Sequence, residues 1–221
     1  MNGFAFFASV LPLIVLFAYG PVAHLVGVRR PSLSQLMDEH RRDWVTHALH
    51  RETPLDAILS GNLMNAVSFF ASTTALLILA LFTVIGQLPE FAPALATITF
   101  GMDYAPADLQ IHNVAMLVLF VSAFLSFTLS LRQFNHFCIL LGAADRTRDP
   151  LIDEVRIIAR VNALAAQSFN SGIRAYYFAI PMLGWFVSGW LAIVLTLGTL
   201  FFLIHREYFS EARWLIARIT P

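Results

Sequence analysis

Lysine is absent from this chain of 221 residues, so all fourteen basic residues are arginine. Charge of either sign is scarce: 13% of residues are charged, against about 25% in a soluble domain of this size. With 58% hydrophobic residues and a mean hydropathy of +0.70, most of the surface must face something other than water. The formal net charge is zero, which leaves no electrostatic footprint for nucleic acid, and no such partner is expected. An arginine-only basic set has two readings, anion recognition by guanidinium groups or codon bias in a GC-rich genome. The single cysteine, Cys138, excludes an intramolecular disulfide and any multi-cysteine metal site, and reads as a small apolar packing residue. There is no Walker A glycine loop, dinucleotide fingerprint, Gly-x-Ser-x-Gly elbow or His-Glu-x-x-His helix. No cofactor is expected.

What the chain has instead is long apolar runs. A helix needs about 20 mainly apolar residues to cross the hydrocarbon core, and four runs qualify: 3–26, 62–85, 111–131 and 175–204. Apolar residues continue past the third through Phe134, Phe137 and Cys138 to Leu141, which leaves room for a longer helix. The fourth would be about 45 Å long as one helix, more than a straight crossing needs. Pro181, Gly184 and Gly189 offer places to kink it, and a re-entrant hairpin is the alternative. The arginines follow the first run rather than precede it, the wrong polarity for a secretory signal, so this run reads as a helix inserted with its N-terminus outside.

Short-loop arginines orient the rest. Segment 27–57 holds Arg29, Arg30, Arg41, Arg42 and Arg51, and segment 132–174 holds Arg132, Arg146, Arg148, Arg156, Arg160 and Arg174. Segment 86–110 has no arginine, only Glu90, Asp103 and Asp108. Four crossings with both polar segments inside are expected, although Arg206, Arg213 and Arg218 then fall outside.

Both polar segments read as amphipathic cytoplasmic helices, about 33–52 and 150–170. Leu33, Met37, Trp44 and Ala48 stripe the first. Asp149-Pro150 would cap the second, with Leu151, Val155, Ile158, Val161 and Ala165 on one face. Leu36-Met37-Asp38-Glu39-His40-Arg41 aligns with Leu151-Ile152-Asp153-Glu154-Val155-Arg156 at an offset of 115 residues, which suggests a parallel tandem repeat of span, cytoplasmic helix and span. The fold expected is an all-α membrane protein, a four-transmembrane-helix bundle forming a single domain over 1–221.

Several strings carry a resemblance: Arg42-Asp43-Trp44-Val45, Asn62-Leu63-Met64-Asn65-Ala66, Leu131-Arg132-Gln133-Phe134-Asn135-His136, and Ser168-Phe169-Asn170-Ser171-Gly172-Ile173-Arg174-Ala175-Tyr176-Tyr177-Phe178. Together they resemble the bacterial and plant membrane proteins of domain-of-unknown-function family 599. The resemblance implies a multi-pass helical membrane protein and brings no activity, substrate or catalytic residue with it.

Three constellations invite a functional reading. His40, Asp43, His47 and His50 share one flank of a helix and have the donor types of a zinc site, although one straight helix coordinates a tetrahedral ion poorly; the bland alternative is a solvated polar face. Arg132, Asn135 and His136, with Asn62, Asn65, Asn170 and Arg174 at comparable depth, would line a vestibule for an anion or small polar solute. The competing reading has the arginines snorkelling to headgroups. Small residues recur at Gly61, Asn65, Ser68 and Ser72, at Ser122, Ser126 and Ser130, and at Gly184, Ser188, Ala192 and Thr196. They suit close helix packing or a hydroxyl-lined pore, and in either case should face away from lipid. The four runs contain no acidic residue, which argues against a buried carboxylate relay.

The leading expectation is a homo-oligomeric channel or transporter for a small ion, anions slightly favoured, in the cell inner (plasma) membrane. An accessory subunit of a larger membrane complex is the alternative. A membrane enzyme acting on lipid or quinone is the third reading.

Overall fold

The computed structural model describes residues 3–27, 31–51, 54–88, 90, 105–145, 147 and 149–220. Seven helices account for nearly all of them, with no strand among the described residues: α1 (Gly3–Gly27), α2 (Leu33–Leu49), α3 (Leu55–Gly86), α4 (Pro106–Ala143), α5 (Ile152–Trp185), α6 (Gly189–Tyr208) and α7 (Glu211–Ile219). Four stretches are long and apolar enough to cross a membrane: Gly3–Ala23, Leu55–Gly86, Pro106–Ala143 and Gly189–Ile219. The chain is a multi-pass helical membrane protein. Arg29, Arg30, Asp103, Arg146 and Arg148, used above to orient it, lie outside the described residues.

Local chemistry sets several boundaries. Ser32 opens α2 with a capping box, its hydroxyl accepting from Gln35 N at 3.2 Å while its own N–H donates to Gln35 Oε1 at 2.8 Å. Pro106 sits in the first turn of α4, where its missing N–H costs nothing. The cap expected at Asp149 falls on Leu151, whose extended backbone holds the helix start to Ile152.

Three expectations need correction. The run 175–204 is not one crossing. Its first part completes α5, which began at Ile152, and the chain reverses over Phe186–Ser188 into α6. Ser188 stops the turn by accepting from Leu191 N at 3.2 Å. The pairing is antiparallel: Gly184 lies against Leu191 and Leu195, and Tyr177 meets Phe202 at 5.6 Å and Arg206 at 3.1 Å. The second predicted amphipathic helix is therefore the first half of a helix of 34 residues, not an element of its own. The tandem repeat fails on the same evidence. α3 is unbroken, whereas 170–201, its counterpart at the offset, contains the reversal. Likewise α2 and α3 are separate, whereas the matching residues of α5 are continuous.

The helices share one axis. α3 and α4 run antiparallel, with Phe70 stacked on Phe127 at 5.5 Å. α4 and α5 do too, with Ser130 Oγ donating to Ala165 O at 2.8 Å and the Phe127 ring against Gly172. α1 is parallel to α6, joined by Phe4 on Trp190 (5.0 Å) at one end and by Tyr208 donating to Ala23 O at the other. The core follows α4 and α5, through Leu119, Phe127, Phe178, Met182 and Trp185. The α6 small-residue stripe faces inward as expected, Ala192 and Thr196 being fully buried. That of α3 does not: Asn65 and Ser72 are exposed, because Val67, Ala71, Thr74 and Leu81 form its packed face. One end of the bundle collects Trp185 and Trp190. Every described arginine lies in the opposite half, here termed the arginine end.

Candidate functional site

At the arginine end α1, α2, α5 and α6 do not close on one another. They leave a cavity of ≈ 230 Å³ lined by Tyr19, Ser34, Asp38, Arg41, Gln167, Asn170, Arg174, Tyr177, Arg206 and Glu207, among others. Three guanidinium groups thus face two carboxylates, and both carboxylates are engaged. Asp38 accepts from Arg41 Nη1 at 3.0 Å. Glu207 Oε1 accepts from Ser34 N at 3.0 Å, in the first turn of α2, where the exposed N–H groups and the helix dipole favour an anion. Burial lowers the pKa of Arg41 and Asp38 opposes that shift; an arginine remains cationic throughout.

The remaining two arginines are held by aromatics. Arg206 Nη1 donates to Tyr177 OH at 3.1 Å. Arg174 is half-buried, with its guanidinium 5.0 Å from the centroid of the Tyr19 ring, a cation–π distance. It makes no hydrogen bond or ion pair with the described residues. Eleven residues separate it from the end of α5 at Trp185, about 16 Å of helix, so its fork of donors stands well inside the bundle. Beyond Arg41 a second pocket of ≈ 400 Å³ adjoins this cavity and shares Met37, Arg41, Ala166 and Asn170 with it.

The sequence profile of the family described as "protein of unknown function, DUF599" matches residues 7–212. The chain belongs to that family. No curated protein and no solved structure matches it.

Of the site residues expected from sequence, the DUF599 fold brings Asn170 and Arg174 to the cavity. Arg132, Asn135 and His136 are exposed on the outer face of α4, because Phe127, Ser130, Phe134 and Phe137 take its packed face. Asn62 and Asn65 are likewise exposed, on α3. The histidine flank does not gather into a metal centre: among the described residues no group of three or more His, Cys, Asp or Glu could hold an ion. His40 lies 3.1 Å from Thr220 Oγ1 and 3.8 Å from Asp43, His50 Nδ1 donates to Thr46 O at 2.7 Å, and His47 is exposed.

The cavity also holds Tyr19, Asp38, Arg41, Tyr177, Arg206 and Glu207, none of which the sequence marked as a site residue. His112, also absent from the expected site, is fully buried at the tryptophan end between Ser9 Oγ (2.8 Å) and Met182 O (3.0 Å) and stacked on Trp185 at 4.1 Å. The signal for His112 was present, a titratable residue inside an apolar run. For the others no single-sequence signal pointed to convergence from four helices.

Proposed function

We propose that this DUF599 chain is a membrane transport protein, channel or carrier, for a small anion or anion-bearing solute, and that the cavity at the arginine end is its recognition site. The observation that carries the reading is Arg174, a half-buried guanidinium in a cavity whose acids are already engaged. An ionised arginine at that depth is costly and normally finds a partner, and its planar fork matches carboxylate or phosphate. Tyr19, Asn170 and Gln167 add polar groups around the same space.

The antiparallel course of α5 supports a fifth crossing, by its C-terminal half. In that topology the described arginines outside the crossings, including Arg206, Arg213 and Arg218, gather on one side, as the positive-inside rule favours, while Arg174 stands within the fifth crossing. The cavity then opens to the cytoplasm, α2 and the first half of α5 stand on that side, and the N-terminus is outside.

The test is uptake of chloride and of inorganic phosphate by liposomes containing the purified chain. Arg174→Gln should lower flux of the conducted anion by about tenfold or more, as loss of a charge-assisted contact would. Arg156→Gln, an exposed arginine paired with Asp153 at 3.1 Å, should leave it unchanged. Equal flux in wild type and Arg174→Gln, or no flux of either anion, refutes the assignment.

A further inference from the structure

The pocket beyond Arg41 differs in kind from the charged cavity. It lies between α2 and α3, which meet where Trp44 Nε1 donates to Asp56 Oδ1 at 2.7 Å, and its walls are the apolar groups of Leu63, Val67, Phe134 and Phe169. Leu63 and Ala66 form its rim and are exposed on α3, a candidate membrane span. The pocket therefore opens sideways, towards lipid, while the charged cavity ends on Arg174. Arg41 and Asn170 line both, so one molecule can reach from the apolar space into the charged one.

Asn162 marks the junction. It is 1% exposed, and its carbonyl oxygen accepts from Arg41 Nε at 3.1 Å. Its amide nitrogen is buried without a hydrogen-bond partner. Most buried polar groups have one, and an amide N–H beside a guanidinium calls for an acceptor, best an anionic oxygen. Sideways apolar access, an unmet donor and an arginine-rich end are the features of a site for an amphiphile with a negative head.

We propose that the site also admits an anion with an acyl tail: an anionic phospholipid drawn from the surrounding bilayer. Its phosphodiester lies against Arg41 and the Asn162 amide, its headgroup extends past Asn170 towards Arg174, and its chain leaves past Val67, Leu63 and Ala66. This rests on the anion reading of the cavity and adds the tail.

Displacement of fluorescent phosphatidylglycerol from the purified full chain in non-ionic detergent separates the two claims. Unlabelled phosphatidylglycerol should displace it at least tenfold more effectively than phosphatidylcholine with the same chains, or than sn-glycerol 3-phosphate, which has the head without the tail. Ala66→Phe, which fills the rim, should weaken phosphatidylglycerol binding by about tenfold, the effect of excluding a few methylenes. Leu79→Phe, an exposed position between three and four turns further along α3, should not. Glycerol 3-phosphate competing as well as the lipid overturns the tail and leaves the anion site standing. Equal competition by phosphatidylcholine overturns the role of charge, and with it the anion reading. No binding of the fluorescent lipid overturns the inference even where phosphate flux is observed.

Discussion

His112 shows how a buried polar residue can be explained by the backbone it serves. At the end of α5, Phe186 N donates to Leu183 O at 3.3 Å, one residue short of the α-helical partner, and leaves the Met182 carbonyl without its usual donor. His112 Nε2 supplies the replacement at 3.0 Å. A carbonyl only accepts, so Nε2 carries the proton and, in the neutral ring, Nδ1 accepts from the Ser9 hydroxyl. His112→Phe keeps a ring against Trp185 and removes both bonds, stranding the carbonyl and the hydroxyl. Stability should fall by about 1–3 kcal/mol, read as a lower thermal midpoint in detergent followed by tryptophan fluorescence; an unchanged midpoint would show that the two bonds contribute nothing. Arg174 and Arg132 make a contrasting pair. Depth along the chain, which the sequence does reveal, places them alike. The face of the helix separates them, and for α4 that face was legible: Phe127, Ser130, Phe134, Phe137 and Leu141 recur at three- and four-residue steps and are buried together, turning Arg132, Asn135 and His136 outward. For α5, Arg174 turns inward only because α1 and α6 pack on it, information that no periodicity carries.

The elements themselves were legible where lipid touches them. α3 and α4 are mainly apolar over most of their length, so length and hydropathy sufficed. α5 is the exception, and its surroundings explain why. It packs against α1, α2, α4 and α6, and of the residues from Ala175 to Trp185 only Ile180 and Leu183 are exposed. A helix screened by its neighbours can keep Gln167, Asn170 and Arg174 without meeting hydrocarbon, and so loses the composition by which a crossing is recognised. Its closest approach is at Gly172, where an added Cβ would stand 2.5 Å from the buried ring of Phe127. Gly172→Ala should therefore cost about 1–3 kcal/mol as overpacking, even though alanine is the better helix former by about 1 kcal/mol. Phe127→Leu in the Gly172→Ala background should recover part of the loss. Additive losses in the double variant would mean that the two residues do not compete for one space.

For the whole molecule, the direction of α5 decides where the charges lie. With four crossings the reversal at Phe186–Ser188 would sit inside the bilayer, and the tail after Tyr208 would emerge opposite Arg156. The packing argues otherwise, since Tyr208 meets Ala23 at the arginine end while Phe186 meets His112 at the tryptophan end, at 4.9 Å. α6 therefore traverses the same length of bundle as α1. The proposed fifth crossing would bring the described arginines outside the crossings to one side and leave Asp108 and Glu90 with the other end, whereas four crossings would put Arg206, Arg213 and Arg218 opposite the rest. Single cysteines in a Cys138→Ser background test this directly. A membrane-impermeant maleimide applied to right-side-out vesicles should label cysteine at Gln87 and at Ser188, and should label those at Arg156 and Glu211 only after the membrane is opened. Labelling at Glu211 from outside, with Arg156 still protected, would restore the four-crossing arrangement. It would also place Arg206, and the rim of the cavity it shares with Arg174, on the opposite side from α2, and so overturn the contact between Glu207 and Ser34.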